Sequence, residues 1–358
     1  YWALPAGAAG LFGVNQGIIN NVHIASGTIS VSEITREHTK SIALGAICGY
    51  NDGGYLTHCT NHAQLKIHTI SGDSDQLNIV TVGGICGTSR GSIEYSINYG
   101  DIIAEKGIFV GLAVGGICGN LYSRYQTDKI KINSCINHGN IVVGDLSLVS
   151  DGRFSYFGGI SGMTNFYNSN GGSFKETIQH VSNCYNTGDL IDSGTKTIYG
   201  DFSGIVGNLC FPYSMYSCKI SSCYNNGEIE VKPDMIQIIL DPILCVTVQL
   251  FETSLPLESP VENCFYSAAT TWKDVRSYKK DYYFGNIYGN GSDMTQEERH
   301  ELADYGRLMD KEIQKSSPAF SADSWPNSEV WDDTVWADFG SWNNGHPVYP
   351  KLWIETNQ

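Results

Sequence analysis

Three short stretches of the sequence combine residue types that could do chemistry. "THCTNH" places His58, Cys59 and His62 within five residues, a spacing that could hold a metal ion. "RHELAD", residues 299–304, resembles the H-E-x-x-H zinc motif of metalloproteases. "GGICGTSRG", residues 83–91, is rich enough in glycine to resemble a phosphate-binding loop. Each stretch would predict a different kind of site.

The two candidate metal motifs are incomplete. Neighbouring side chains of a β-strand point to opposite sides, so Cys59 would face away from His58. In three of the later repeats the equivalent of His62 is Tyr99, Thr187 or Asn226. In "RHELAD", Asp304 stands where the second zinc-binding histidine is needed. The sequence therefore predicts neither a metal site nor an intact zinc-protease motif.

The glycine-rich stretch recurs along the chain, which argues against a phosphate loop. Similar segments end at Gly13, Gly49, Gly87, Gly119, Gly162 and Gly207, at intervals of 36, 38, 32, 43 and 45 residues. Self-similarity at a period of this size is the signature of a repeat architecture. A phosphate loop occurs once for each nucleotide site, so six copies indicate a structural motif.

A second motif follows the glycine stretch and alternates like a β-strand. In "SCINHGNI" (134–141) and "SCYNNGEI" (222–229), Cys, Asn, Gly and Ile occupy every other position. Alternate residues of a strand face one side, and stacked strands lie about 4.8 Å apart. The Asn position is filled in five successive repeats, by Asn61, Asn98, Asn137, Asn186 and Asn225. We predict an interior asparagine ladder, followed by a glycine that provides either a positive φ or close backbone approach.

The eleven cysteines largely follow the same repeats. Residues stacked in register lie wider apart than the Cβ separation of about 3.8 Å that a disulfide prefers. No pair forms C-x-x-C, and the position of Cys86 holds Phe12, Ser161 or Val206 in sister repeats. We predict buried thiols that pack as small apolar side chains, with a catalytic cysteine as the alternative.

Composition and charge limit the classes of function. The chain has 358 residues, with 40 glycines, 11% aromatic and only 16% charged residues, which is typical of a turn-rich β protein. Its net charge is −15, and no basic cluster would bind nucleic acid or an anionic membrane. No apolar run approaches the roughly 18 residues of a transmembrane helix. The longest candidate, "MIQIILDPILCVTVQLF" (235–251), predicts two buried strands because Asp241 and Pro242 interrupt it.

The last quarter of the chain holds most of its tryptophans and differs from the repeats. Residues 1–270 are predicted to form a β-solenoid of six to seven repeats, and residues 271–358 a small cap for its last rung. "MTQEERHELADYGRLMDKEIQK" predicts one helix over about 293–315, with Thr295 and Glu298 as a capping box. The tryptophans are expected to form the core of the cap; a sugar-binding aromatic surface is the alternative.

Together these motifs resemble the GLUG-repeat domain of bacterial surface and secreted proteins. The resemblance covers residues 10–353 and rests on "GGICG…INSCINHGNIVV", "FSGIVGN…ISSCYNNGEIEV" and "WADFGSWNNGHPVYPKLW". It implies an all-β, β-helix-like extracellular module. Such repeats also occur in the non-catalytic part of immunoglobulin A proteases of the metallopeptidase type. The zinc motif of those proteases is absent from this sequence, so the resemblance does not extend to proteolysis.

Two classes of function are expected. The first is a non-enzymatic, adhesin-like scaffold at the bacterial cell surface or outside the cell. It would bind a host glycan or surface protein, with no cofactor, metal or catalytic residue. The alternatives are the accessory region of an immunoglobulin A protease whose active domain lies elsewhere, and a β-helix carbohydrate hydrolase or lyase. Asp and Glu are widely scattered, so an acid pair for sugar hydrolysis stays open.

Overall fold

The structure is a computed structural model that describes most of the repeat region and part of the C-terminal region. The described residues are 5, 7–36, 41–72, 79–109, 111–123, 130–148, 155–166, 179–195, 199–211, 218–231, 237–241, 243–248, 260–267, 273–274, 317–343 and 346–356. Regular structure in these stretches is nearly all β-strand.

The strands wind into a parallel β-solenoid, as the repeats predict. Each complete coil contributes one strand to each of five sheets, which we name faces A to E in the order in which the chain visits them. Seven coils are stacked, so faces B, C and D have seven strands, face E has six and face A has eight. The all-β solenoid prediction is therefore confirmed.

Coils 1 to 4 contain the first twenty strands. Coil 1 comprises β1 (Gly7–Ala9), β2 (Phe12–Asn15), β3 (Ile18–Asn20), β4 (His23–Ile24) and β5 (Thr28–Arg36). Coil 2 comprises β6 (Ile42–Gly45), β7 (Cys48–Asn51), β8 (Tyr55–Thr57), β9 (Thr60–Asn61) and β10 (Gln64–Gly72). Coil 3 comprises β11 (Val80–Gly83), β12 (Cys86–Ser89), β13 (Ser92–Glu94), β14 (Ile97–Asn98) and β15 (Ile102–Phe109). Coil 4 comprises β16 (Leu112–Gly115), β17 (Cys118–Ser123), β18 (Ile130–Asn133), β19 (Ile136–Asn137) and β20 (Ile141–Leu148).

Coils 5 to 7 and the C-terminal region contain the remaining elements. Coil 5 comprises β21 (Ser155–Gly158), β22 (Ser161–Phe166), β23 (Gln179–Ser182), β24 (Tyr185–Asn186) and β25 (Leu190–Asp192). Coil 6 comprises β26 (Tyr199–Ser203), β27 (Val206–Phe211), β28 (Cys218–Ser221), β29 (Tyr224–Asn225) and β30 (Ile229–Glu230). Coil 7 comprises β31 (Gln237–Asp241), β32 (Leu244–Val248), β33 (Val261–Glu262) and β34 (Phe265–Tyr266). They are followed by β35 (Lys273–Asp274), β36 (Trp336–Asp338), β37 (Ser341–Asn343), β38 (His346–Val348), β39 (Lys351–Leu352) and the helix α1 (Trp353–Thr356).

Equivalent residues of successive repeats are stacked in register. Cys86 on face B pairs with Cys48 below it and Cys118 above it, and Asn98 on face D pairs with Asn137. The segment 235–251 forms two strands, β31 and β32, as its interruption by Asp241 and Pro242 predicts. The repeat period therefore corresponds to one coil.

Two apolar cores run along the inside of the solenoid. One contains residues of faces A and E, such as Val82 and Leu65. The other contains residues of faces B and C and the cysteine row, such as Leu121, Ile93 and Cys135. Both cores arise because alternate strand residues point inward and are apolar in nearly every coil.

A C-terminal segment, residues 317–343 and 346–356, packs on the outer side of face D. It covers a row of outward-facing side chains on face D and buries them. The covered residues are Ile97, Ile136, Tyr185, Tyr224 and Phe265, and the residues that cover them are Phe320, Trp331, Trp336 and Leu352. The segment also extends face D beyond coil 7, because Phe320 N–H donates to the Tyr266 carbonyl at 2.8 Å. The predicted helix over 293–315 lies outside the described residues. The short helix α1 was not predicted.

Candidate functional site

The asparagines at the predicted ladder position form a hydrogen-bonded column inside the solenoid. The Nδ2 of each residue donates to the Oδ1 of the next, at 2.8 Å from Asn61 to Asn98 and from Asn98 to Asn137. The column continues at 2.7 Å from Asn137 to Asn186 and at 2.9 Å from Asn186 to Asn225. All five side chains are fully buried. The column satisfies amide groups whose burial would otherwise be costly.

Glycines lie against the ladder amides of Asn61, Asn98, Asn137 and Asn186 and allow the backbone to approach them. A Cβ added to Gly116 would overlap the Asn137 side chain, and one added to Gly188 would overlap the Gly139 carbonyl. The glycines with positive φ in the described part of the chain are Gly27, Gly53 and Gly340. Of the two reasons predicted for the ladder glycines, close approach is therefore the one that the structure supports.

Among the side chains that the structure describes, nine cysteines are buried and free: Cys48, Cys59, Cys86, Cys118, Cys135, Cys184, Cys218, Cys223 and Cys264. Cys135, Cys184, Cys223 and Cys264 form one interior row beside the asparagine column. Burial raises the pKa of the Cys184, Cys223 and Cys264 thiols well above the ordinary value, and that of Cys218 to about 12. These thiols are therefore protonated at neutral pH, which suits packing and does not suit nucleophilic attack.

The residue before each position of this row, which holds Val22 in coil 1, Ser96 in coil 3 and cysteine in the other coils, adopts a left-handed conformation. The φ values lie between 50° and 57° at Asn21, His58, Tyr95, Ser134, Asn183, Ser222 and Asn263. Asn and His are among the non-glycine residues enriched in this region, but a bulky side chain such as Tyr95 is an outlier there. The conformation turns the chain between faces C and D while the side chain of the following residue points to the interior. We name these seven residues the corner row.

A cleft of about 610 Å³ lies between the corner row and the C-terminal segment. Its solenoid wall is formed by Asn21, His23, His58, Thr60, Tyr95 and Ser134. Its second wall is formed by Thr334, Val335, Leu352, Trp353 and Ile354. Ligand sites commonly are concave, with aromatic surfaces and a few polar groups, so this cleft is the candidate functional site.

Two aromatic side chains in the cleft are accessible. Tyr95 is 37% exposed and Trp353 is 47% exposed. The Tyr95 ring stacks on His58, with centroids 5.1 Å apart and an interplanar angle of 20°. The Trp353 Nε1–H donates to the Asp333 carbonyl at 3.1 Å. Both rings are therefore held in place while part of each remains open to a ligand.

A stacked column of rings continues from the cleft along face D. His62 stacks on Tyr99 with centroids 4.4 Å apart, and Tyr99 stacks on His138 at 4.9 Å. His138 also bonds through Nδ1 to the Thr187 hydroxyl at 2.7 Å. Burial lowers the pKa of both histidines, and the nearby His23 adds to the lowering at His62. Both rings are therefore predominantly neutral at pH 7.

An ion pair with one buried partner lies on face C, next to the corner residue Tyr95 in the sequence. Glu94 is buried, and its Oε2 lies 2.9 Å from the Lys131 Nζ. Burial tends to lower the pKa of Lys131, but the hydrogen bond and the charge of Glu94 outweigh it and raise that pKa. The hydrogen bond to Glu94 also raises the pKa of Tyr55. This carboxylate is paired, and it is not among the residues that line the cleft.

The residues of "THCTNH" take three different roles. Cys59 lies in the core, His58 lines the cleft and His62 belongs to the stacked column. Within the described residues, no group of three or more His, Cys, Asp or Glu side chains could hold a metal ion. No helix in the same part of the chain is long and apolar enough to cross a membrane.

Sequence reasoning placed the asparagine column but missed the cleft. The cleft is formed by Trp353 together with the corner row. Trp353 lies more than 200 residues after most of the corner-row residues in the sequence, and the repeat pattern does not relate it to them. The available signal was the change of residue type in the corner row, where Tyr95 replaces Asn or Ser. Comparisons with family models, with curated proteins and with solved structures found no match.

Proposed function

We propose that this chain is a non-enzymatic repeat scaffold that binds a glycan in the cleft between the corner row and the C-terminal segment. The observation that supports it most directly is the pair of accessible rings, Tyr95 and Trp353, in a cleft whose other groups include hydroxyls and an amide. Aromatic faces pack against the apolar face of a sugar ring, and hydroxyl and amide groups match its polar edge.

The backbone of Tyr95 supports the same proposal. A bulky residue in the left-handed region costs of order 1–3 kcal/mol, yet Tyr95 keeps a φ of 50° where Asn21, Asn183 and Asn263 occupy equivalent corners. Strained residues of this kind cluster at binding and active sites. The fold does not require an aromatic side chain here, since Ser134 and Ser222 also serve as corners.

The lining of the cleft favours binding over sugar hydrolysis. Glycosidases usually need two carboxyl groups about 5–9.5 Å apart at the scissile bond. The residues that line the cleft are polar, aromatic or aliphatic, and none is Asp or Glu. The extracellular or cell-surface location and the adhesin-like role rest on the resemblance to GLUG-repeat domains. The alternative role as an accessory region of an immunoglobulin A protease has the same basis.

A glycan array followed by calorimetry on the best ligand tests the proposal. Tyr95→Asn gives this corner the residue of its sister coils, so the fold should be kept or slightly stabilised while affinity falls at least tenfold. Trp353→Ala should weaken binding to a similar extent. Tyr55→Ala is the matched control, because Tyr55 is 43% exposed on face C and does not line the cleft.

Two results would overturn the proposal. One is the absence of any glycan ligand on the array while the protein is folded. The other is an equal loss of affinity in Tyr55→Ala and Tyr95→Asn, since the binding surface would then lie outside the cleft. Release of reducing sugar from the bound glycan by the purified chain would favour the hydrolase alternative.

A further inference from the structure

Face E carries a hydrogen-bonded chain of polar side chains across three successive strands. His68 of β10 bonds through Nε2 to the Ser30 hydroxyl of β5 at 3.2 Å, and through Nδ1 to Glu105 Oε2 of β15 at 2.7 Å. The other carboxylate oxygen, Glu105 Oε1, lies 2.7 Å from the Lys66 Nζ. The order of hydroxyl, imidazole and carboxylate is the order of nucleophile, base and orienting acid in a serine hydrolase.

The chemistry of these groups fixes where the protons lie. Hydrogen bonds from Lys66 and His68 hold the pKa of Glu105 below its ordinary value, so this carboxyl group is ionised at neutral pH. An ionised carboxylate only accepts hydrogen bonds, so His68 Nδ1 carries a proton and donates to it. In the neutral imidazole Nε2 is then an acceptor, and the Ser30 hydroxyl is its donor. Nε2 is therefore in position to take the Ser30 proton.

The three side chains project from the outer side of the sheet. Their strand neighbours Leu65 and Ala104 lie in the core between faces A and E, and neighbouring residues of a strand point to opposite sides. Ser30 is exposed, and the side chains of His68 and Glu105 are 41% and 37% exposed. The Ser30 hydroxyl is therefore open to a molecule in solution.

The repeat does not require these residue types. The register equivalents of Lys66 in the next two coils are Ile103 and Val142. Gly144 of coil 4 occupies the place that Glu105 has in coil 3. The coils thus stack on face E without polar side chains at these positions, so the chain of polar groups is not a consequence of stacking.

We propose that Ser30, His68 and Glu105 form an acyl-transfer centre that hydrolyses small carboxylic esters. Ser30 is the nucleophile, His68 is first the base and then the acid, and Glu105 positions His68. Lys66 is the register neighbour of Ser30 and supplies positive charge for the oxyanion, because Glu105 takes one of its three N–H donors. Because the centre lies on an open face, it suits an ester that projects from a larger molecule.

The reaction needs only the ester and water. Ser30 Oγ bonds to the carbonyl carbon while its proton passes to His68 Nε2. The bond from that carbon to the alcohol oxygen then breaks, and the alcohol leaves with the proton, so that the acyl group is esterified to Ser30. Water attacks this ester and gives a proton to His68, and the carboxylic acid leaves as Ser30 regains the proton. Nothing is oxidised or reduced.

The centre is separate from the cleft, since none of its three residues lines the cleft. Glycan binding in the cleft and ester hydrolysis on face E can therefore succeed or fail independently. The scaffold is non-enzymatic in the cleft, and the chemistry belongs to face E.

Labelling with a fluorophosphonate, followed by peptide mapping, tests the nucleophile. These reagents modify activated serine hydroxyls in preference to ordinary ones, so the folded full chain should be labelled at Ser30. His68→Ala should abolish the label while far-UV circular dichroism shows an unchanged fold, because Ser30 then lacks its base. Ser32→Ala is the matched control, since Ser32 is a second exposed serine of β5. It should leave the label on Ser30 unchanged.

Hydrolysis of p-nitrophenyl acetate by the full chain tests turnover. His68→Ala should lower kcat about a hundredfold or more, which is the usual contribution of a general base, and Ser30→Ala should return the rate to that of the uncatalysed reaction. Glu105→Gln should lower kcat with KM unchanged, because Glu105 acts only by orienting His68.

Three results would overturn the proposal. The first is a folded chain without a label on Ser30, and the second is a label without turnover of the ester. The third is a rate that Ser30→Ala leaves unchanged, since a surface imidazole would then account for the hydrolysis. An unchanged kcat in Glu105→Gln would contradict the role given to Glu105.

Discussion

Replacing Asn137 by alanine should destabilise the solenoid far more than replacing the nearby Asn140. The Asn137 side chain donates to the Gly139 carbonyl at 2.8 Å and to Asn186 Oδ1 at 2.7 Å, and it accepts from Asn98 Nδ2 at 2.8 Å. Each buried hydrogen bond contributes about 1 kcal/mol net, so the loss of three predicts about 3 kcal/mol. Asn140 lies on the outside, and its side chain accepts one bond, from Asp189 N–H at 2.9 Å. Its loss predicts about 1 kcal/mol.

Urea unfolding followed by far-UV circular dichroism would measure both changes in the free energy of unfolding. The pair is matched because both residues are asparagines of coil 4, three positions apart, that bond to coil 5. Asn137→Leu should also be destabilising, because it restores volume without restoring the amide bonds. Equal destabilisation in Asn137→Ala and Asn140→Ala would refute the reasoning, since the column would then add nothing beyond an ordinary surface hydrogen bond.

Three further predictions concern the glycine stretch, the core and the histidines. Gly84→Ala should be strongly destabilising in thermal melts, since its Cβ would overlap the Gly116 carbonyl and the Asn98 amide, while Gly17→Ala, with its nearest contact at 3.9 Å, should be tolerated. Ile85→Ala should cost about 2–5 kcal/mol in urea unfolding because Ile85 is fully buried, and Cys86→Ser should cost less because Ser161 fills the same row. Burial lowers the pKa of His138 below its ordinary 6.5, so the unfolded chain binds the proton more readily. Stability should therefore fall as the pH drops below 6.5 towards the lowered pKa. His138→Gln should reduce that fall in melting temperature between pH 7 and pH 5, and an unchanged pH dependence would contradict the assignment.

The interior of the solenoid was predictable because its residues repeat at fixed spacing. The Cys-x-Asn-x-Gly alternation places Cys135, Asn137 and Gly139 on one side of the chain, and stacking then brings like residues together. The structure adds what links the two motifs: Gly116 of the first motif abuts Asn137 of the second. That contact explains why both motifs persist together through the repeats.

The corner row and the position of the C-terminal segment were not predictable in the same way. Left-handed backbone is usually inferred from glycine, but the corners hold Asn, His, Tyr and Ser. The C-terminal region was expected to cap the last rung, with the tryptophans as the core of the cap. The structure adds that Trp331 and Trp336 also pack on outward residues such as Tyr185 and Tyr224. Such long-range packing depends on surface shape, which a single sequence does not encode locally.

The hydrogen bonds of the asparagine column all point the same way, from the N-terminal coils towards the C-terminal coils, which is also the order in which the chain is synthesised. In each pair the earlier coil supplies the N–H and the later coil supplies the oxygen, from Asn61 through to Asn225. A ribosome releases the earlier coil first, so a formed coil always presents an amide donor to the coil that emerges next. Neighbouring hydrogen bonds in such a chain polarise and strengthen one another. The growing end of the solenoid is therefore a template that selects the register of each new coil as the polypeptide lengthens.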